Sequence, residues 1–208
     1  MNIKEILEDP RLALPPSIPR EPLISQFSSY LDLLVKWNQK INLTSEKSPQ
    51  DILQRHIFDS LQYSRVISPK DEIVDIGSGA GFPGIPLKIL YPDLTVTLIE
   101  SQRKRCSFLE AVIFKLGLIS TRVINDRAEN HLLEPPADAV IFRAVTDIKS
   151  CLELATPFLG LGGKVVLKKS LEEYCDANLV GFSLEQEITV TGYNNKKSSL
   201  LVFVKNIV

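Results

Sequence analysis

Residues 74–86 read VDIGSGAGFPGIP, and the fold turns on them. Apolar strand-forming residues lead into Gly77, Gly79, Gly81 and Gly84, while Pro83 and Pro86 stand where a helix can begin, because a missing N–H costs little in a first turn. Glycines let the backbone turn tightly and come close to a ligand, and free amides at a helix start favour a negative group. A small, partly anionic ligand is expected at this turn.

Working outward, short apolar runs from Asp71 onward (EIVDIG, LTVTLIE, TRVIND, DAVIFRA, GGKVVLKK) alternate with helix-length segments. Strand alternating with helix predicts an α/β fold with a mostly parallel sheet covered on both faces. FSLEQEITV, GYNN and KKSSLLVFVK then predict two strands joined by a tight turn, so the sheet should end in an antiparallel hairpin. Upstream, Leu23, Phe27, Tyr30, Leu31, Leu34 and Trp37 recur at three- and four-residue steps, which predicts an amphipathic helix. A second helical stretch is expected over 49–66. Residues 10–22, PRLALPPSIPREP, hold five prolines and read as an irregular arm. The expected division is an arm and helical cap over 1–66 and a Rossmann-like unit over 67–208.

The 208 residues, 44% hydrophobic and 24% charged, are ordinary globular usage for one principal core. There is no run of about 18 apolar residues, and MNIKEILEDP carries acids where a signal peptide needs a basic and then an apolar stretch. A soluble, cytoplasmic protein without a membrane partner is expected. Cys106, Cys151 and Cys175 form no CxxC pair and have only His56 and His131 to join them, so neither a disulfide framework nor a metal site is expected. Lys plus Arg total 24 against 25 Asp plus Glu, a net charge of -1. A nucleic-acid binder with that balance must gather its cations on one face, which a total does not reveal.

Two ligand classes fit the glycine loop. Gly79, Gly81 and Gly84 spell GxGxxG, the dinucleotide pattern. Asp75, Gly77, Gly79 and Gly81 also spell DxGxGxG, which resembles the first motif of the class I methyltransferases. There the acid helps hold the ammonium of S-adenosyl-L-methionine, directly or through the loop, and the glycines admit its methionine part. Glu100 ends the next strand, about twenty residues on, where either class places an acid for ribose hydroxyls. After the third strand the polar run 125–129 sits at the sheet's carboxyl edge, where open α/β sheets bind ligands. In class I methyltransferases this turn borders the adenine, within reach of the main chain at Ala128 and the carboxylate of Glu129. Arg143 lies at the same edge after the fourth strand.

With these residues in view, the chain resembles the RsmG family, also called GidB, which methylates N7 of a guanine in bacterial 16S ribosomal RNA. The matching pieces are KWNQKINLTS (36–45), RHIFDSL (55–61), VDIGSGAGFPGIPL (74–87), ESQRKRCSFL (100–109), RAE (127–129), FRAV (142–145) and LKK (167–169), in family order. The resemblance implies a class I methyltransferase fold: a mostly parallel seven-stranded sheet ending in an antiparallel hairpin, with a helical amino-terminal extension. It implies S-adenosyl-L-methionine as cofactor and 16S rRNA or the small ribosomal subunit as partner. Gly77, Phe82, Ala128, Glu129 and Arg143 match the family's cofactor-binding positions, and Glu100 stands where the family has an acid. Lys169, where glycine is expected after LK, and the proline-rich arm depart from the pattern.

Guanine N7 carries a lone pair outside the aromatic system, so no proton has to be removed before attack and no general base is expected. Candidates for positioning the substrate are Asn42, Arg55, His56, Arg143 and Lys168. His56 and Asp59 share a helix face, and for His56 a structural or positioning role is preferred to that of a base. Trp37 reads as a core anchor, and Asn38 and Asn42 as side chains that bond the following loop or form its turn. Candidate RNA contacts are Lys36, Lys40, Arg55, Arg103, Lys104, Arg105, Lys168 and Lys169. A monomer is the default expectation. The rival readings are a nicotinamide-dependent oxidoreductase and a non-catalytic RNA-binding module.

Overall fold

A computed structural model describes residues 2–132, 134, 136–143, 147–170, 178–179 and 181–206. Each apolar run becomes a strand: β1 (Glu72–Ile76), β2 (Thr95–Ile99), β3 (Thr121–Ile124), β4 (Ala137–Phe142) and β5 (Leu159–Ser170). β6 (Asn178–Leu179), β7 (Phe182–Thr191) and β8 (Lys197–Lys205) follow. Among the described residues they form one sheet in the order β3-β2-β1-β4-β5-β8-β7-β6. β1 to β5 pair in parallel, and β8 joins β5 antiparallel as half of the expected hairpin with β7. The seven expected strands are present. β6, two residues long at the edge, is an addition too short to leave a periodic signal.

Successive strand side chains point to opposite faces, and this divides the core. Ile73, Ile141, Val166 and Leu200 face the helical layer that contains the amino-terminal segment. Their neighbours Val74, Val140, Phe142, Val165, Leu167 and Leu201 face the other side. There α7 (Ile148–Ala155) closes the core with Ile148, Cys151, Leu152 and Ala155.

The arm is more regular than its prolines suggest. Asn2 and Glu5 form a reciprocal capping box that starts α1 (Ile3–Leu7), and Asp9 caps a 3-10 turn over Pro10–Leu12. α2 (Arg20–Ile41) begins before Pro22, which is tolerated because a first-turn N–H has no intrahelical partner to lose. α2 buries Leu23, Phe27, Tyr30, Leu31 and Leu34 and packs against α5 (Gly84–Leu90) and α6 (Arg103–Leu116). Phe27 is fully buried, so Phe27→Ala would cost about 3–5 kcal/mol. The second helical stretch is α3 (Pro49–Ile52), a π turn over Leu53–Ile57, α4 (Phe58–Leu61) and a 3-10 turn over Gln62–Arg65. The π turn carries Arg55 and His56.

Two buried tyrosines fasten this cap to the sheet's carboxyl edge. The hydroxyl of Tyr30 donates to the carbonyl of Ala80 at 2.5 Å, and that of Tyr63 to the carbonyl of Phe142 at 2.7 Å. Trp37 is half-buried with its ring edge-on to Phe108, 5.8 Å between centres.

Candidate active site

The glycine loop is held from below. Gly77 and Ser78 donate their amides to the carbonyl of Ile99 at 2.9 and 3.1 Å. Oδ2 of Asp75 accepts from the amide of Gly84 at 2.9 Å, so this acid braces the loop onto the start of α5. Burial is the main influence on Asp75 and outweighs the Gly84 amide and Arg143, raising its carboxyl to about 7. Its other oxygen, Oδ1, is buried without a partner.

The glycines are needed for different reasons. A Cβ on Gly81, at φ +90, would lie 2.5 Å from Cγ1 of Ile85, so this glycine lets the loop pack. A Cβ on Gly77, at φ +74, would meet nothing within 4 Å. Gly77 therefore leaves space, and that space is a cleft of about 360 Å³ over the ends of β1, β2 and β3. Glu100, Gln102, Arg105, Ala128 and Glu129 line it with Gly77, and its volume is in the range of small-ligand sites.

Glu100 is buried in the cleft wall and accepts from the amide of Gly79 at 3.0 Å and of Gln102 at 2.8 Å, one bond on each oxygen. A carboxylate oxygen has a second lone pair, so both oxygens can still receive hydroxyls. Arg105 turns inward to Glu100 at 3.7 Å, and its Nε is buried without a partner. Two orphaned polar atoms, an anchored acid and a glycine facing open space are what a nucleoside with a charged amino-acid arm requires. S-adenosyl-L-methionine fits this set of residues.

A second cleft, about 440 Å³, lies over the ends of β4, β5 and β8. Arg55, Arg143, Lys168, Lys169, Lys196 and Lys197 line it, opposed by Asp51 and Asp59. Six cations against two carboxylates, in a chain of net charge -1, is the gathering that composition could not reveal. Strand order reverses between β1 and β4, so the two clefts flank the topological switch point where open sheets bind ligands.

His56 stands at this junction. Its ring stacks on Phe82 at 4.8 Å and 14°, and Arg143 lies over the same phenyl ring at 5.1 Å. Nε2 contacts Glu46 at 2.7 Å and Thr44 at 2.8 Å, and Nδ1 accepts from Arg143, which also donates to the carbonyl of Arg55 at 3.2 Å. Burial, then Arg143, lowers the His56 pKa despite Glu46. A neutral imidazole protonated at Nε2 satisfies both neighbours. For Glu46 burial works upward, but hydrogen bonds from Thr44, His56 and Ser45 prevail and bring it to about 2.

The structure thus puts Gly77, Glu100, Ala128 and Glu129 in one cleft and Arg55, Arg143 and Lys168 in the other. Asp75, Gly79, Gly81 and Phe82 lie between or beneath them, shaping the loop rather than lining either cleft. Asn38 bonds the loop after α2, with Nδ2 to the carbonyl of Glu46 at 2.9 Å and Oδ1 to the amide of Thr44 at 2.9 Å. Asn42 is exposed and ends α2 in left-handed conformation. Lys168 is tied to Asp59 at 2.6 Å and Lys169 is buried. Lys36, Lys40, Arg103 and Lys104 are exposed outside both clefts, Arg103 paired with Glu110 at 3.3 Å. Burial raises the thiol of Cys106 and takes that of Cys151 to about 12; Cys175 lies outside the described residues, as do Ala144 and Val145 of FRAV. Sequence reasoning missed Glu46, which follows the NLTS turn, and the turn lysines Lys196 and Lys197.

This strand order and edge-on cleft define the class I S-adenosylmethionine-dependent methyltransferase fold. A mutant of MtNAS solved in complex with S-adenosylmethionine superposes with a TM-score of 0.61 over 88% of this chain and 75% of that one, at 15% identity. The profile described as GidB, rRNA small subunit methyltransferase G, matches residues 23–199, and the chain belongs to that family. The protein named Ribosomal RNA small subunit methyltransferase G of Lachnoclostridium phytofermentans is 36% identical, over 88% of this chain and 81% of its own length. Its namesake in Desulfitobacterium hafniense is 44% identical over 70% of this chain, an alignment spanning 62% of that relative's length.

Proposed function

We propose that the chain transfers the methyl group of S-adenosyl-L-methionine to N7 of a guanine in 16S ribosomal RNA. The observation that carries this reading is the pair of clefts at one switch point, one built for a nucleoside and the other lined by cations, with His56 and Arg143 between them. When bound, the cofactor supplies an electrophilic methyl carbon on a sulfonium.

Asp75 holds the loop against α5 and places its buried carboxyl beneath the loop that receives the amino-acid arm. Glu100 accepts ribose hydroxyls, and Ala128 and Glu129 meet the adenine edge. Arg143 borders both groups. His56 has both ring nitrogens engaged and a lowered pKa, so it orients Arg143 instead of taking a proton. That suits N7, which has none to lose. What remains is alignment of the base with the methyl–sulfur bond and exclusion of water, and such positioning can be equivalent to roughly 10⁵ M or more of nucleophile. In this reading residues 1–66 form the cap and 67–208 the catalytic unit of a cytoplasmic monomer.

The test is incubation with labelled S-adenosyl-L-methionine and either 16S rRNA or small subunits from a strain lacking the enzyme. Label mapped to N7 of a guanine is expected. Cofactor binding without transfer, or label on another atom, would overturn the proposal.

A further inference from the structure

The turn between β7 and β8 is held from an unexpected quarter. Arg11, in the amino-terminal arm, donates from Nη1 to the carbonyls of Gly192 at 3.1 Å and Tyr193 at 3.3 Å and to Oδ1 of Asn195 at 3.0 Å. Its guanidinium lies over the rings of Phe58 at 5.1 Å and Tyr193 at 5.2 Å, and its other edge is forked onto Asp9 at 2.9 and 2.7 Å. The turn so fixed forms one wall of the cationic cleft, carries Lys196 and leads into Lys197, the first residue of β8.

The cations in that cleft are not equivalent. Lys168 is neutralised by Asp59 at 2.6 Å and Arg143 is occupied by His56. The side chains of Lys196 and Lys197 are exposed and have no partner among the described residues. A lysine is a compact point charge without the planar fork that reads a base edge, so phosphate is its matching partner.

We propose that the β7–β8 turn is a phosphate-binding wall of the RNA cleft. Lys196 and Lys197 contact backbone phosphates flanking the target nucleotide, and Arg11 is the positioning residue that presents them. This rests on the function proposed above and gives the arm its role: a missing arm would leave the lysines present but unplaced.

The test uses the full chain with whichever of 16S rRNA or small subunits the unaltered protein methylates. The Lys196→Gln/Lys197→Gln variant should raise the KM for RNA roughly tenfold, with kcat and cofactor affinity unchanged. Its plot of log affinity against log salt should be shallower by about one to two units, the expectation for one or two lost phosphate contacts. The same charge loss at Lys70 and Lys115, exposed on the amino-terminal side of the parallel strands, should leave the slope alone. Arg11→Lys should raise the KM severalfold and add less than that when combined with the lysine pair, because both changes disable one unit. An unchanged slope in the lysine variant, an equal change in the control pair, or full additivity with Arg11→Lys would overturn the assignment. Absence of transfer by the unaltered chain would instead overturn the function on which it rests.

Discussion

Nδ1 of His56 accepts a hydrogen bond from the guanidinium of Arg143 while Nε2 of the same ring lies 2.7 Å from Glu46, so one imidazole couples the cap to the end of β4. His56→Phe keeps a ring to stack on Phe82 and removes both bonds. Loss of a positioning group should lower kcat about tenfold, with a smaller fall in cofactor affinity because Arg143 borders both groups. A general base is worth about 10²–10⁴-fold, so a drop of a thousandfold in single-turnover rates would mean that His56 moves a proton after all.

Asp75 sets a pH dependence of opposite sign to that of an ordinary surface acid. Its folded value, about 7 against the usual 3.8, means that the folded state holds the proton more tightly than the unfolded chain. Its contribution to stability is therefore full below about pH 4 and is lost as pH rises through 7. Asp75→Asn should make the apoprotein more stable at pH 8, by about 2–4 kcal/mol, and indifferent at pH 4. Denaturant titrations at the two pH values check this, and equal shifts at both would refute the buried-acid account. The same variant should bind S-adenosyl-L-methionine more weakly, because the negative charge beneath the loop that receives the ligand's ammonium is lost.

Gly77 and Gly81 separate binding from folding. Gly77→Ala meets open space and has only its positive φ to accommodate, a cost of about 1–2 kcal/mol, yet its methyl group enters the cleft proposed for the cofactor. Gly81→Ala adds the clash with Ile85 and should cost about 2–5 kcal/mol. Gly77→Asp, bringing a negative charge, should abolish cofactor binding in a calorimetric titration while the fold persists. Undiminished binding by Gly77→Asp would place the pocket elsewhere.

Tyr30→Phe removes one oxygen and leaves the carbonyl of Ala80 buried without its donor. Destabilisation of about 1–3 kcal/mol is expected. Because Ala80 lies inside the glycine loop, cofactor affinity should fall with it, whereas Tyr63→Phe, which frees the carbonyl of Phe142, should cost similar stability and spare the loop. Indistinguishable cofactor affinities would show that the loop keeps its shape without the cap.

Much of this was legible along the chain because the signals are local. Alternation over a few residues marks β1 to β5, a three- and four-residue step marks α2, and a run of glycines marks a turn that must adopt positive φ. The prolines of residues 10–22 mark an irregular stretch that the structure keeps over 13–19, but the capping box of Asn2 and Glu5 before it and the first-turn placement of Pro22 emerge only once helix ends are known.

Linear order, then, was enough for β1 to β5, the β7–β8 hairpin, α2, the glycine loop as a turn and the family. Folding decided what those residues can do, because charge, burial and hydrogen bonding act between groups that the sequence keeps apart. Asp75 becomes a weak acid only when β1 and the glycine loop close over it. His56 acquires its tautomer from Arg143, 87 positions away, and Lys196 and Lys197 are aimed by Arg11, which bonds Gly192 across 181 positions. No periodicity reports distances of that kind.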